Sequence, residues 1–283
     1  MISEPKFMLK YLYSNKFLLI LLFLIPFILS ISFGHILYSD GNLGSNFNRE
    51  AGLEKFDHGH PFKDFDGSLK KSIYENYFNV SSIKPTLNSL KSMRFYTSFF
   101  DSLRQTSKIS ILLGGIIAII TGGKMVEDRS IVYLIVNKKN RLKSFSDLFL
   151  LPLPFLVLTI FLASLSILTI SLNSFVDISI NKILVVSFIS LILSTLEGYI
   201  FANFLILLIR NNTSSLLSLF GIVFILPIFE RGKLMILPFT YLTNNLIYNI
   251  PLPQEDYIYL GCLIISILPF ISFYIYIRGD FYK

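Results

Sequence analysis

Charge is what this chain has least of. Charged side chains make up only 15% of its 283 residues, against roughly 25% in an ordinary soluble domain. The length alone would suit two soluble domains on the usual prior of roughly 100–200 residues each, but too few charges are present to solvate their surfaces. Cysteine occurs once, at Cys262, which excludes an intrachain disulfide and a Cys-based zinc site. Histidine occurs three times, at His35, His58 and His60, at or beyond the margin of the apolar runs, so no histidine pair is available for chemistry inside a membrane. What the chain does have is apolar residue: 53% of it, with a mean hydropathy of +0.64. Its charges are clustered and leave long uncharged stretches between them. A helix of about 20 residues crosses a ~30 Å hydrocarbon core, and several of these stretches are long enough. The composition predicts an all-α, polytopic integral membrane protein.

Six spans and one broken segment can be laid along the sequence. The first span covers 17–38 and is too long for a signal-peptide core. The second, 108–123, is short, and snorkelling lysines or an upstream extension past Gln105 would lengthen it. The third covers 148–173, the fourth 183–209, the fifth 213–229 and the last 257–277. Residues 234–254 are uncharged but differ in kind, because Pro238, Pro251 and Pro253 break them and Asn244, Asn245 and Asn249 load them with amides. Proline removes a backbone donor and kinks a helix, so this segment reads as re-entrant, covered by protein or water where its backbone is broken.

The net charge of +7 would suggest nucleic acid in a soluble protein. Here the positive-inside rule accounts for it. With the N-terminus inside, the inner segments hold Lys6, Lys10, Lys16, Lys124, Arg129, Lys138, Lys139, Arg141, Lys143, Arg210, Arg278 and Lys283. The short outer loops hold only Lys182, Arg231 and Lys233. That imbalance predicts a cell-membrane protein with both termini cytoplasmic, and no nucleic-acid partner.

The loops add detail. Residues 4–16 read as a basic amphipathic helix lying in the interface, with Pro5 in its first turn and Lys6 and Lys10 on one face. The extracytoplasmic loop at 39–107 mixes charge with aromatics such as Phe47, Phe56, Tyr74 and Tyr77, enough for a small folded cap. Asp57, His58, His60, Asp64 and Asp66 fall within it without the spacing of a metal site. Asn79-Val80-Ser81 is a glycosylation sequon. Inside the fourth span, Glu197 sits among Ser194, Thr195 and Tyr199. It reads either as a polar point on a translocation path or as a hydrogen-bonded helix-packing residue. The pairs Gly114-Gly115 and Gly122-Gly123 allow close helix approach.

The most informative loop is cytoplasmic, at 124–145. Glu127, Asp128 and Arg129 open it, an apolar run from Ile131 to Val136 fills it, and Lys138, Lys139 and Arg141 close it. Acids first and bases last suit a helix macrodipole. Six apolar residues in a row must be buried against lipid, this chain or another one.

At these residues the chain resembles the ABC-2 type permeases, the membrane subunits of type V ABC exporters. The family pattern is an acid-rich start, a glycine, an apolar run, then Pro-x-x-Arg leading into the third span. Glu127, Asp128 and Arg129 match the start, Tyr133, Leu134 and Ile135 lie in the apolar run, and Arg141 matches the closing arginine. Ser130 stands near the glycine position, and Asn137 and Lys138 stand where the family has proline. The topology resembles the family over the whole chain. What the resemblance implies is a coupling helix in this loop, docked on a separate ATPase subunit that binds ATP and Mg. It further implies a second permease copy or paralogue in the assembly. No ATP site is expected here: Gly122-Gly123-Lys124 has Ala118 where a P-loop needs its first glycine and Met125 where it needs Ser or Thr.

The expected function is therefore that of an exporter permease, not an enzyme and holding no cofactor of its own. The alternative is a self-contained secondary transporter or channel, which would want more ionisable groups inside its spans and an internal repeat.

Overall fold

The computed structural model describes residues 16–41, 87–123, 126, 145, 152–172, 180–225, 228, 234–235, 237–248 and 254–278. Among the described residues every regular element is helical and no strand occurs. The helices are α1 (Lys16–Gly41), α2 (Leu87–Ala118, continued by a π-turn at Ile119–Gly123), α3 (Leu153–Leu172), α4 (Ile180–Ile209), α5 (Asn212–Ile225), α6 (Pro238–Tyr248) and α7 (Glu255–Arg278).

Apolar residue all round, rather than one apolar stripe, marks helices meant for burial or for lipid, and α1 shows how both faces are used. Ile25, Leu29, Phe33 and Leu37, four apart, are fully buried, while Phe23, Phe27 and Ile31 on the other face are exposed. The buried face meets α2 through the Phe33 and Phe99 rings, edge to face at 5.6 Å between centroids. The exposed apolar face recurs on α3 (Leu158, Phe161), α5 (Leu217, Phe224) and α7 (Leu263, Phe270). A soluble monomer does not leave so much contiguous apolar surface in water. The protein is an α-helical membrane protein. Among the described residues three helices are long and apolar enough to cross a bilayer: Phe99–Gly123 within α2, α4 and α7. Shorter apolar stretches lie in α1, α3 and α5.

The second helix starts much earlier than the sequence suggested. Residues 87–107, assigned to the outer loop, are helical, and Phe99, Phe100, Ser102, Leu103, Thr106 and Ser107 are buried in the bundle. Asp101, Arg104 and Lys108 interrupt the apolar run and hid this extension; in the structure Arg104 and Asp101 form an ion pair one turn apart. At about 1.5 Å per residue, the α-helical part of α2 is roughly 48 Å long, more than a hydrocarbon core requires.

Helices α2 and α4 form the centre and run parallel. The Ser110 hydroxyl of α2 donates to the Leu191 carbonyl of α4. Further along, a side chain on Gly114 would overlap the Thr195 carbonyl, and one on Gly122 would reach Asn203. Ser110, Gly114 and Gly122 recur at multiples of four residues on α2 and meet Leu191, Thr195 and Asn203 of α4, while Gly198 of α4 abuts the Ile111 backbone. Small residues at this spacing let two backbones touch. Gly115 gives the same clearance to Leu219 of α5, and Gly123 to Asn212. Burial reflects this centrality: 78% of the apolar window of α2 is buried but only 28% of that of α7.

The turn from α4 to α5 is made without glycine. Arg210 takes a left-handed backbone (φ 56°) and its N–H bonds the Ile206 carbonyl, an αL helix end. Asn211 then caps α5, its side-chain oxygen accepting from the Ser214 N–H at 2.9 Å. Two residues thus reverse the chain. Helix α6 is only 11 residues, about 16 Å, too short to cross a bilayer. It is wedged between α4 and α7 where the sequence predicted a broken, re-entrant segment.

Candidate functional site

Two regions of the bundle carry polar chemistry. The first is the seam between α4 and α6. Ser190, Ser194 and Glu197 recur on one face of α4, and Thr240 and Asn244 lie one turn apart on α6. The Ser194 and Thr240 hydroxyls meet across the seam at 3.3 Å. All five side chains are buried, Glu197 to 1% exposure. By helix rise, Glu197 is about 26 Å from one end of α4 and about 18 Å from the other, near the middle of the membrane. A carboxylate there costs roughly 3 kcal/mol on insertion scales. Neither of its oxygens has a hydrogen-bond partner among the described residues.

The hydroxyls that its neighbours might have offered are used elsewhere. Thr195 donates to the Leu191 carbonyl at 2.7 Å, and its hydroxyl oxygen lies against the Ser110 hydroxyl of α2. Tyr199 bonds the side chains of Asn203 and Thr121. On the α7 side, the thiol of Cys262 lies close enough to feel the Glu197 charge. Among the described residues none donates a hydrogen bond to Glu197.

Above this seam the structure adds a group that sequence reasoning missed. Arg104 of α2 pairs with Asp101 and also reaches the Tyr241 hydroxyl of α6 at 3.4 Å. The available signal was Phe99, Phe100 and Leu103 continuing the apolar pattern around the charges. Below it lies the π-turn. Thr121 donates to the carbonyls of Ile117 and Ala118, at 2.7 and 3.3 Å. That supplies a donor where the widened turn breaks the regular ladder. Such turns are frequent at functional sites.

The second region is one end of the bundle. Leu207, near the end of α4, and Tyr276, near the end of α7, are buried together, and Val126, Phe145 and Ile275 pack against them. Phe145 stacks at a tilt on Phe273 and Tyr276, with centroids 5.2 and 5.3 Å apart. Val126 follows α2 and Phe145 precedes α3, so both ends of the charged 127–144 loop start from this cluster.

The residues of that loop singled out for coupling, namely Glu127, Asp128, Arg129, Tyr133, Leu134, Ile135 and Arg141, lie outside the described residues. So do the interfacial segment before Lys16 and the outer-loop group Asp57, His58, His60, Asp64 and Asp66. Glu197 is the one predicted site residue that the structure describes. No family model, no curated protein and no solved structure matches the chain.

Proposed function

We propose that this chain is the membrane-spanning permease subunit of an ATP-driven ABC exporter of the ABC-2 type. On this reading α1, α2, α3, α4, α5 and α7 are six spans, α6 is re-entrant, and both termini are cytoplasmic in the cell membrane. Glu127, Asp128, Arg129, Tyr133, Leu134, Ile135 and Arg141 grip a separate ATPase subunit, which binds ATP and Mg. A second permease copy or paralogue completes the pore.

One observation carries the reading. Val126 and Phe145, at the two ends of the charged loop, pack in the same cluster as the ends of α4 and α7. A force applied to that loop would reach three long helices through close-packed aromatic and aliphatic side chains. Packed interiors transmit such displacement because they are dense and have little room to yield. The parallel α2–α4 pair, in backbone contact at Gly114 and Gly198, would then move as one unit.

The test is co-purification. The chain is expressed with its genomic neighbours and isolated in detergent, and a nucleotide-hydrolysing subunit should come with it. Triple charge reversal at Glu127, Asp128 and Arg129 should abolish that association while leaving the melting temperature of the permease unchanged. A chain that moves substrate unaided in ATP-free vesicles would replace this reading with the secondary-transporter one. That alternative is favoured by a specific feature, the donorless Glu197 at mid-membrane, which resembles the ion sites of coupled transporters.

A further inference from the structure

Buried polar atoms without partners are rare in folded proteins, and each points to something missing. Among the described residues they are confined to Ser107, Ser190, Glu197, Asn244 and Ser272. Three of these, Ser190, Glu197 and Asn244, lie on the faces of α4 and α6 that the Ser194–Thr240 contact holds together. The atoms concerned are the Ser190 hydroxyl, both carboxylate oxygens of Glu197 and the amide oxygen of Asn244. All are oxygens. The Asn244 amide oxygen and an ionised Glu197 carboxylate accept hydrogen bonds or coordinate cations, whereas the Ser190 hydroxyl can also donate. A seam lined by lone pairs on both walls lacks positive charge.

Among the described residues no side chain supplies it there. Arg104 is held by Asp101 of its own helix and by Tyr241 of α6. Glu197 accepts from none of the described residues, although its buried position makes an unpaired charge expensive. Soft ligands are not part of the unpartnered set, and oxygen-only surroundings suit hard or hydrogen-bonding cations.

We infer that Glu197 and Asn244, facing each other across the Ser194–Thr240 contact, form an intramembrane site for a monovalent cation, either an alkali ion or the ammonium group of a cargo molecule. Glu197 supplies the countercharge, and the Asn244 amide oxygen replaces part of the water around the cation. The site lies about midway through the bilayer, beside the short helix α6. A broken or re-entrant helix at that depth is where carbonyl and side-chain oxygens are commonly recruited for ions. The inference goes beyond the exporter reading and holds whether or not an ATPase drives the protein.

The full-length chain in lipid nanodiscs is melted at fixed pH and ionic strength, with choline replaced stepwise by sodium, potassium or methylammonium. Binding to the folded state alone raises the melting temperature in proportion to ln(1 + [L]/Kd). A saturable rise of about 4 °C or more is expected with at least one of the three cations. Sodium or potassium as the active ion identifies a free ion as the occupant; methylammonium alone identifies the amine of a cargo. The rise should vanish in Glu197→Gln and shrink in Asn244→Ala.

Cys262, the only thiol, gives a second readout in the unaltered protein. Its alkylation rate by N-ethylmaleimide should change with the same half-saturation as the melting temperature. That decides the matter even if Glu197→Gln fails to fold. An equal rise in Glu197→Gln would overturn the proposal. So would a rise that leaves Cys262 unaffected, or no rise with any of the cations, as when a proton alone occupies the site.

Discussion

At Gly114 and Gly198 two helix backbones meet with nothing between them. A methyl group on Gly114 would overlap the Thr195 carbonyl, and one on Gly198 would overlap the Ile111 carbonyl. Neither obstacle is the far end of a flexible side chain, so relief requires α2 and α4 to separate. Overpacking of a filled core costs about 1–3 kcal/mol, and backbone obstacles put these sites at the upper end. Gly34 is different, since a methyl there would lie 3.6 Å from Ile170, an ordinary contact. We expect Gly114→Ala and Gly198→Ala each to lower the thermal stability of the purified protein by several degrees, and Gly34→Ala to leave it within about 1 °C. Similar losses at all three positions would mean that α2 and α4 are not in backbone contact. The glycine pairs announced this closeness in the sequence. Their partners did not, because contacts between residues some 80 positions apart leave no local pattern.

At the scale of the element, the informative irregularities are the π-turn and the short helix α6. The π-turn ends α2 at Gly122-Gly123, and within it the Thr121 hydroxyl donates to the Ile117 and Ala118 carbonyls. Buried hydrogen bonds of this kind contribute about 0.5–1.5 kcal/mol each, and an orphaned acceptor costs more. Thr121→Val keeps the shape and removes the donor. It should destabilise the fold by about 1–2 kcal/mol, read as a shift in the denaturant midpoint, whereas Thr121→Ser should restore most of the loss. A valine variant as stable as the parent would show that the turn needs no donor. Nothing in residues 119–123 taken alone calls for a π-turn rather than an α-turn, since both suit a short apolar run ending in glycine. Pro238 in the sequence announced a helix start, since proline suits a first turn, and α6 begins there. Its hydroxyl contact with Ser194 was not legible, for that depends on how two distant segments pack. The start of α2 was misplaced for a related reason. Asp101 and Arg104 read as loop charges along the sequence, and only the fold reveals that they neutralise each other within the helix.

For the whole molecule, helix directions follow from a few contacts and lead to a topology that can be tested. Helices α2 and α4 run parallel, since contacts advance together from Ser110 and Leu191 to Gly122 and Asn203. Tyr276 of α7 is buried with Leu207 of α4, and Cys262 lies near Glu197, so α7 runs the same way. Asn181 at the start of α4 and Glu255 at the start of α7 therefore belong to one side of the bundle. Thr213, just after the α4–α5 turn, and Arg278, at the end of α7, belong to the other. On the proposed topology the Thr213–Arg278 end, which adjoins the basic loop and tail, faces the cytoplasm, as the positive-inside rule expects. In a Cys262→Ala background, single cysteines at 181 and 255 should react with a membrane-impermeant maleimide in intact cells. Cysteines at 213 and 278 should react only after lysis. Labelling of 255 and 278 from the same side would mean that α7 does not cross. Labelling of 213 from outside would place the 127–144 loop beyond the reach of any cytoplasmic ATPase, because Val126 and Phe145 share that end of the bundle with Leu207.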